Sequence, residues 1–168
     1  MISDAMAKAI NKQMNFEFLS ANLYLSMSAY SSYKGLDGFG SWFYNQYFEE
    51  QIHAMKMYNY LLDQAHKVEL DCCPKPASDF GTPLEVFEAS LVHEREVTKR
   101  IYALVDLALE ERDHGTNSFL QWFVNEQVEE ESTLNSIIDK VKLVESSGNG
   151  IFMLNRELGL RPAPVTAV

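Results

Sequence analysis

Four long stretches of this chain repeat apolar residues at steps of three and four, and each stretch contains a glutamate within the repeat. The glutamates are Glu17, Glu50, Glu94 and Glu130, each near the middle of its stretch. Such a repeat predicts a helix that buries one face in a core. An isolated buried carboxylate destabilises a fold by several kcal/mol. Four carboxylates in one core therefore indicate that cations bind among them.

The apolar repeats predict four long helices, at residues 4–33, 38–65, 83–111 and 116–144. Ser3 and Thr82 precede two of the repeats and are suited to cap helices. Pro83 in a first turn strengthens the second of these signals, and Thr116 is the predicted cap of the fourth helix. The break at 34–38 is short, so the first two helices are expected to be antiparallel neighbours.

The connection from His66 to Gly81 is long enough to run from one end of a helix bundle to the other. Helices two and three are then parallel, as in bundles with one long crossover. A short helix is predicted at 149–158, followed by a tail at 161–168. Its apolar residues are expected to need another surface, such as a second subunit. The sequence thus predicts a single all-α domain over residues 1–168, a four-helix bundle with a short fifth helix.

Composition excludes several classes of partner. The net charge of −10 argues against nucleic-acid binding, which needs a basic face. No apolar run approaches the roughly 20 residues of a membrane span, and no signal peptide is visible. Cys72 and Cys73 are adjacent, so free thiols in a reducing compartment are expected. A cytoplasmic protein without a membrane partner is therefore predicted.

Glu50 and His53 form a Glu-x-x-His motif on one helix face, where both can bind one ion. Carboxylates with one imidazole suit Fe(II), Mn(II) or Zn(II). We expect Glu17, Glu50 and His53 on one ion, with Glu50 bridging to a second. Glu94 and Glu130 are expected on that second ion. Helix bundles that bind paired metal ions usually carry two Glu-x-x-His motifs; in the second motif here, Gln127 replaces the acid and Glu130 the histidine.

Further polar residues surround these ligands. Glu49, Glu126 and Glu129 are explained equally well as a solvated face or as a third cation site. Tyr24 lies two helical turns after Glu17 and is able to orient a ligand or donate an electron, although tyrosines at such positions are more often core residues. Gln127 is expected to hydrogen-bond bound oxygen or water.

These motifs together resemble the bacterial non-haem ferritins over nearly the whole chain. The similar segments are Gln13–Glu17 with Tyr24, Glu49–His53, His93–Glu94 and Phe119–Glu131. The resemblance implies a ferritin-like four-helix bundle that assembles into a homo-oligomeric shell of 24 subunits. It implies a ferroxidase that oxidises Fe(II) with O2, or with peroxide, and stores ferric oxyhydroxide.

The resemblance also implies the ligands of three iron sites. A di-iron centre would use six residues: Glu17, Glu50, His53, Glu94, Gln127 and Glu130. A third iron site would use Glu49, Glu126, Glu129 and Glu130. No haem is expected, because bacterioferritins, which bind haem, keep two intact Glu-x-x-His motifs. Rubrerythrins carry an additional cysteine-ligated domain that is absent here. A non-catalytic cation-binding shell and a small di-iron oxygenase remain the alternative functions.

Overall fold

The computed structural model describes residues 1–164, which form five α-helices and no strand. The helices are α1 (Asp4–Tyr33), α2 (Asp37–Asp63), α3 (Pro83–Glu110), α4 (His114–Val144) and α5 (Gly148–Leu158). The first four pack into a bundle, and α5 packs against α2 and α4. The predicted all-α class is confirmed. None of the helices in the described part of the chain combines the length and the apolar character that a membrane crossing requires.

Two predicted helix caps are confirmed. The Ser3 hydroxyl accepts a hydrogen bond from the backbone N–H of Met6 at 3.0 Å, at the start of α1. At the start of α3, the N–H of Glu85 donates to the Thr82 hydroxyl at 3.2 Å, and the N–H of Thr82 donates to the Glu85 carboxylate at 2.7 Å. This reciprocal pair satisfies two backbone donors that the helix itself leaves unpaired.

The predicted cap of α4 was wrong. The carboxylate of Asp113 accepts a hydrogen bond from the N–H of Thr116 at 3.0 Å, so Asp113 is the cap and α4 begins at His114. The hydroxyl of Thr116 also donates to the Asp113 carboxylate. Asp113 is the cap in place of Thr116 because an aspartate caps a helix N-terminus at least as well as a threonine and adds negative charge there.

The crossover between α2 and α3 lies along α1. Near its beginning, Glu69 exchanges two hydrogen bonds of 2.9 Å with the side chain of Asn11. Near its end, the Tyr30 hydroxyl donates to the carbonyl of Gly81 at 2.6 Å. The crossover therefore spans most of the length of α1 and joins opposite ends of the bundle. This path makes α2 and α3 parallel, as the length of the connection predicts.

The bundle core is divided into two apolar clusters. Each long helix contributes residues to both clusters. The buried carboxylate of each helix lies between these two sets of residues. The first cluster includes Met14, Ala54, Val97 and Phe123. The second includes Tyr24, Phe43, Leu91 and Leu134. In sequence, Glu17, Glu50, Glu94 and Glu130 each lie between the two residues that their helix contributes to these lists, so together they form one polar layer across the bundle.

Helix α5 partly closes the second cluster. Leu154 and Leu158 are buried there, so the expectation that the apolar residues of this helix need a surface outside the bundle was wrong for these two. They pack there because the end of the bundle beside α2 and α4 offers apolar surface that the long helices leave open. Phe152 on the outer face of α5 remains 65% exposed.

The docking of α5 also caps α2. Leu36 precedes α2 and makes no side-chain capping bond. The side-chain carbonyl of Asn155, on α5, instead accepts a hydrogen bond from the N–H of Phe39 at 3.0 Å. The close approach requires a glycine at position 38, because a Cβ on Gly38 would lie 1.7 Å from the backbone carbonyl oxygen of Asn155.

We therefore expect Gly38→Ala to displace α5 and lower stability by about 3 kcal/mol, the upper range for overpacking a close contact. Gly148→Ala is the matched control, since a Cβ on Gly148 meets no atom within 4 Å. Thermal unfolding followed by circular dichroism compares the two variants. Equal melting temperatures would show that the contact between α2 and α5 does not contribute to stability.

Candidate metal centre

Glu17, Glu50 and His53 form the best-defined part of the polar layer. One ligand atom from each residue lies within 4.8 Å of the other two. The three residues are 0%, 1% and 4% exposed, respectively. Nδ1 of His53 is 3.5 Å from a carboxylate oxygen of Glu50. The structure thus brings together the three residues that the sequence predicts for one ion.

Glu94 is fully buried in the same layer and is held by two hydrogen-bond donors, Tyr24 and Gln127. The Tyr24 hydroxyl donates to one carboxylate oxygen of Glu94, and Ser90 donates to the Tyr24 hydroxyl at 3.0 Å. The amide of Gln127 donates to the other oxygen of Glu94 at 3.0 Å. Gln127 therefore donates to a carboxylate, and its hydrogen bond to bound oxygen or water stays a prediction. Both Tyr24 and Gln127 orient Glu94.

Glu130 completes the layer from α4. Its side chain is 7% exposed, and one of its oxygens accepts a hydrogen bond from the Gln46 amide at 2.9 Å. Burial and the negative charge of Glu94 raise the pKa of Glu130 well above its ordinary value. Glu130 is thus a buried carboxylate close to Glu94, on the side where a second ion was predicted.

Burial makes the ionised form of these carboxylates unfavourable. It raises the pKa of Glu17 from 4.5 to about 7, although a hydrogen bond from Gln13 opposes the rise. Burial, followed by the charges of Glu94 and Glu17, raises the pKa of Glu50 well above its ordinary value. One oxygen of Glu17 and one of Glu50 have no hydrogen-bond partner among the described residues. Bound cations would satisfy both the charge and these two oxygens.

His53 is neutral and able to bind a metal. Burial, reinforced by the positive charge of Lys56, lowers the pKa of His53 to about 4. A neutral imidazole has a free ring nitrogen for a metal ion. The ring lies edge-on to Trp122 and Phe123, with centroids 5.4 Å and 6.1 Å away, so packing orients it.

The residues predicted for a third site lie on the outer side of this layer. Glu49 and Glu126 are partly exposed, and Glu129 is exposed. The negative charge of Glu129 contributes to raised pKa values of Glu49 and Glu126, after burial, which places the three acids near one another. Within residues 1–164, however, these acids do not form a compact three-ligand group like the one of Glu17, Glu50 and His53. A third site stays a prediction.

Sequence reasoning missed three polar residues at the layer. Gln13 donates to Glu17 at 2.8 Å, Gln46 donates to Glu130, and Arg161 forms an ion pair with Glu49 at 2.8 Å. Gln13 lies four residues before its partner Glu17, and this helical spacing was a detectable signal. No such local signal connects Arg161 to Glu49, since 112 residues separate them.

His93, next to Glu94 in sequence, does not contact the layer through its ring. The ring stacks on Phe16, and one ring nitrogen lies 2.7 Å from the Ser20 hydroxyl. Burial lowers the pKa of His93 to about 4. It is a neutral packing residue between α1 and α3, in accord with its exclusion from the predicted ligands.

The chain is similar to known proteins along nearly its entire length. Residues 7–144 match the family described as Ferritin, a ferritin-like domain. The chain is 38% identical over 161 residues to the bacterial non-heme ferritin of Staphylococcus aureus strain USA300, covering 96% of this chain and 97% of that protein. It is 39% identical over 161 residues to the bacterial non-heme ferritin of Staphylococcus epidermidis, with the same coverage.

Solved structures show the same similarity. An open-pore ferritin from the hyperthermophilic archaeon Archaeoglobus fulgidus superposes with a TM-score of 0.95 at 42% identity, covering 96% of this chain and 100% of that chain. A closed form of the Archaeoglobus fulgidus ferritin, made by site-directed mutagenesis, has a TM-score of 0.96 at 42% identity, covering 98% of this chain and 100% of that chain. The similarity includes all four helices that carry the buried carboxylates.

Proposed function

Since the chain belongs to the ferritin family of iron-storage proteins, we propose that its polar layer binds two Fe(II) ions and oxidises them. The observation that supports this most directly is the group of Glu17, Glu50 and His53, whose ligand atoms lie within 4.8 Å of one another. Two buried carboxylate oxygens there lack a hydrogen-bond partner within residues 1–164. A divalent cation supplies the positive charge and the coordination that these oxygens lack.

In this proposal, Glu17, Glu50 and His53 bind one Fe(II). Glu50 bridges to the second ion, because the negative charges of both Glu94 and Glu17 act on its carboxyl group. Glu94 and Glu130 bind the second Fe(II). Tyr24 and Gln127 orient Glu94 through their hydrogen bonds and so fix the distance between the ligands.

The proposed reaction is a two-electron oxidation. Each Fe(II) loses one electron, and one O2 accepts both electrons with two protons to form hydrogen peroxide; peroxide itself is the alternative oxidant. The chain contributes ligand positions and negative charge, which favours Fe(III) over Fe(II). The apolar clusters on both sides of the layer limit the access of water to it. The ferric product then leaves the centre for storage as ferric oxyhydroxide.

We further propose that the chain assembles into a homo-oligomeric shell of 24 subunits in the cytoplasm. Large apolar residues remain exposed on α4, on α5 and just after α5: Leu143, Phe152, Met153 and Leu160. Clustered apolar surface of this kind is typical of an interface between subunits. Two exposed free cysteines, Cys72 and Cys73, suit a reducing compartment. The particle mass in solution distinguishes a shell from the dimer or monomer that a small oxygenase would form.

Anaerobic titration with Fe(II) tests the proposed centre. We expect two ions per chain to bind much more tightly than any others, because within residues 1–164 only the buried layer brings carboxylates and an imidazole together in a compact group. A stoichiometry of two tight ions supports the paired centre. Many weak sites with no tight pair would contradict it and would favour a shell that only buffers cations at its acidic surface.

A further inference from the structure

Arg161, in the segment that follows α5, is held by several contacts to α2. One guanidinium nitrogen donates to both carboxylate oxygens of Glu49, at 2.9 Å and 2.8 Å. The other donates to the side-chain carbonyl of Gln46. The guanidinium also lies 5.2 Å from the ring centre of Trp42. A planar guanidinium that is held on several sides has a defined position.

The backbone of the same segment is attached to α2 as well. The side-chain amide of Asn45 donates to the carbonyl of Arg161 at 3.2 Å and to that of Pro162 at 3.3 Å. The side chains of Arg161 and Glu49 are only 27% and 22% exposed. The guanidinium is therefore held at the edge of the bundle both by its own side chain and by its backbone.

Arg161 is connected to the proposed iron ligands by two routes. The direct route is its pairing with Glu49, a residue of the proposed third site. The indirect route passes through Gln46, which accepts from Arg161 and donates to Glu130 at 2.9 Å. Glu130 belongs to the proposed ligands of both the second and third ions. One positive charge from the C-terminal segment thus acts on two of these carboxylates.

We infer that Arg161 is a displaceable counter-ion of the third site, which an incoming cation must replace at Glu49. This inference rests on the proposed function. Both oxygens of Glu49 are engaged by the guanidinium, so a metal ion binds them only after that pairing opens. The third ion is consequently weaker than the first two and is bound after them. Its binding also removes one of the side-chain contacts that hold Arg161 on α2.

Calorimetric titration with Zn(II), which is not oxidised, tests this competition without any measurement of ferroxidase activity. In Arg161→Gln the third Zn(II) should bind about fivefold more tightly than in the parent chain, the size expected for loss of a partly exposed ion pair. The two tight sites should be unchanged. Arg161→Lys keeps the charge but loses the two-pronged geometry, so its third-site affinity should fall between those of the parent and Arg161→Gln.

Arg156→Gln is the matched control, because Arg156 lies exposed on α5 and its replacement removes the same charge. It should leave all Zn(II) affinities unchanged. Glu49→Gln, combined with Arg161→Gln, should remove the gain in affinity. If the third Zn(II) binds Arg161→Gln no more tightly than it binds the parent, while the two tight sites are normal, the inference about Arg161 is wrong and the proposed centre is unaffected. Absence of the tight pair in the parent contradicts the proposed centre, and the weak Zn(II) site still shows whether Arg161 competes.

Discussion

Replacing Glu50 by alanine should lower the initial rate of Fe(II) oxidation by roughly 100-fold or more. Even residues that only support metal ligands change affinity or activity by about 10- to 100-fold when they are replaced. Glu50 is expected to do more, because the charges of both Glu94 and Glu17 act on it and it is assigned to both ions. Stopped-flow absorbance of the ferric product, with air-saturated buffer and two Fe(II) per chain, measures this rate.

Two controls separate loss of the centre from loss of the fold. Glu110→Ala removes an exposed glutamate at the end of α3 and should oxidise Fe(II) at the parental rate. Glu50→Gln keeps the shape of the side chain and removes its charge, so the metal-free variant should melt no lower than the parent while its oxidation is slow. A parental rate in Glu50→Ala would show that the polar layer is not where Fe(II) is oxidised.

The sequence predicted the layer because helical periodicity acts locally. Each of the four glutamates occupies a position that a 3.6-residue repeat places on the buried face, whatever the packing of the other helices. The burial of Glu17, Glu50, Glu94 and Glu130 follows from that geometry. The crossover length similarly determined which helices are parallel. The sequence of a single helix is thus enough to predict which of its residues, glutamates included, lie on the buried face.

The polar contacts that hold these carboxylates could not be predicted from the periodicity of a single helix. Gln46 lies on the helix of Glu50 but donates to Glu130 on α4, so its partner depends on how the two helices pack. Arg161 reaches Glu49 only because α5 docks on α2, and that docking depends on the tight contact between Gly38 and Asn155. Neither contact follows from the spacing of residues within one helix.

The fifth helix shows the same limit. Its apolar residues were assigned to a surface outside the bundle because the four long repeats already formed a complete core in sequence. Leu154 and Leu158 are buried by their own chain instead. A periodic pattern states that a face is buried, but it does not state whether the covering surface belongs to the same chain. Only the outer residues, such as Phe152, remain available for another subunit.

The metal-free protein should become less stable as pH rises above 6.5, and divalent metal should reverse this loss. The folded protein raises the pKa of Glu17 from 4.5 to about 7 and raises those of Glu50 and Glu130 further above their ordinary values. The folded state therefore binds more protons than the unfolded state. The stabilisation that these carboxyl groups contribute is fully present below their pKa in the unfolded chain. It is lost as the pH rises through their pKa in the folded protein.

Two buried histidines have the opposite effect on stability at lower pH, where they make the folded protein more stable as the pH rises. The pKa values of His53 and His93 are lowered from 6.5 to about 4, so their contribution rises with pH between those limits. Below pH 6.5 the histidines and glutamates partly cancel. Above pH 6.5 the histidine contribution levels off as the unfolded-state histidines lose the rest of their charge, while the contribution of the glutamates continues to fall. Melting temperatures at pH 6.5 and 8.5 therefore report mainly on the carboxylates.

Each carboxyl that stays protonated in the folded state while it is ionised in the unfolded state removes up to ~1.4 kcal/mol of stability per pH unit. A single carboxyl that stays protonated across these two pH units would lower stability by about 3 kcal/mol and the melting temperature of the metal-free protein by about 10 °C. Excess Zn(II) should abolish this decrease, because the metal replaces the protons as the compensating charge and binds only the folded state. Differential scanning calorimetry measures both effects.

Substitution of Glu17 by glutamine should make the decrease smaller, since a neutral amide has no proton to lose at that position. Glu110→Gln should keep the full decrease, because that side chain is exposed in the folded chain. A melting temperature that stays constant or rises from pH 6.5 to 8.5 in the metal-free parent would mean that the four carboxylates ionise without difficulty. They would then need no cation, and the physical reason for metal binding at this layer would be lost.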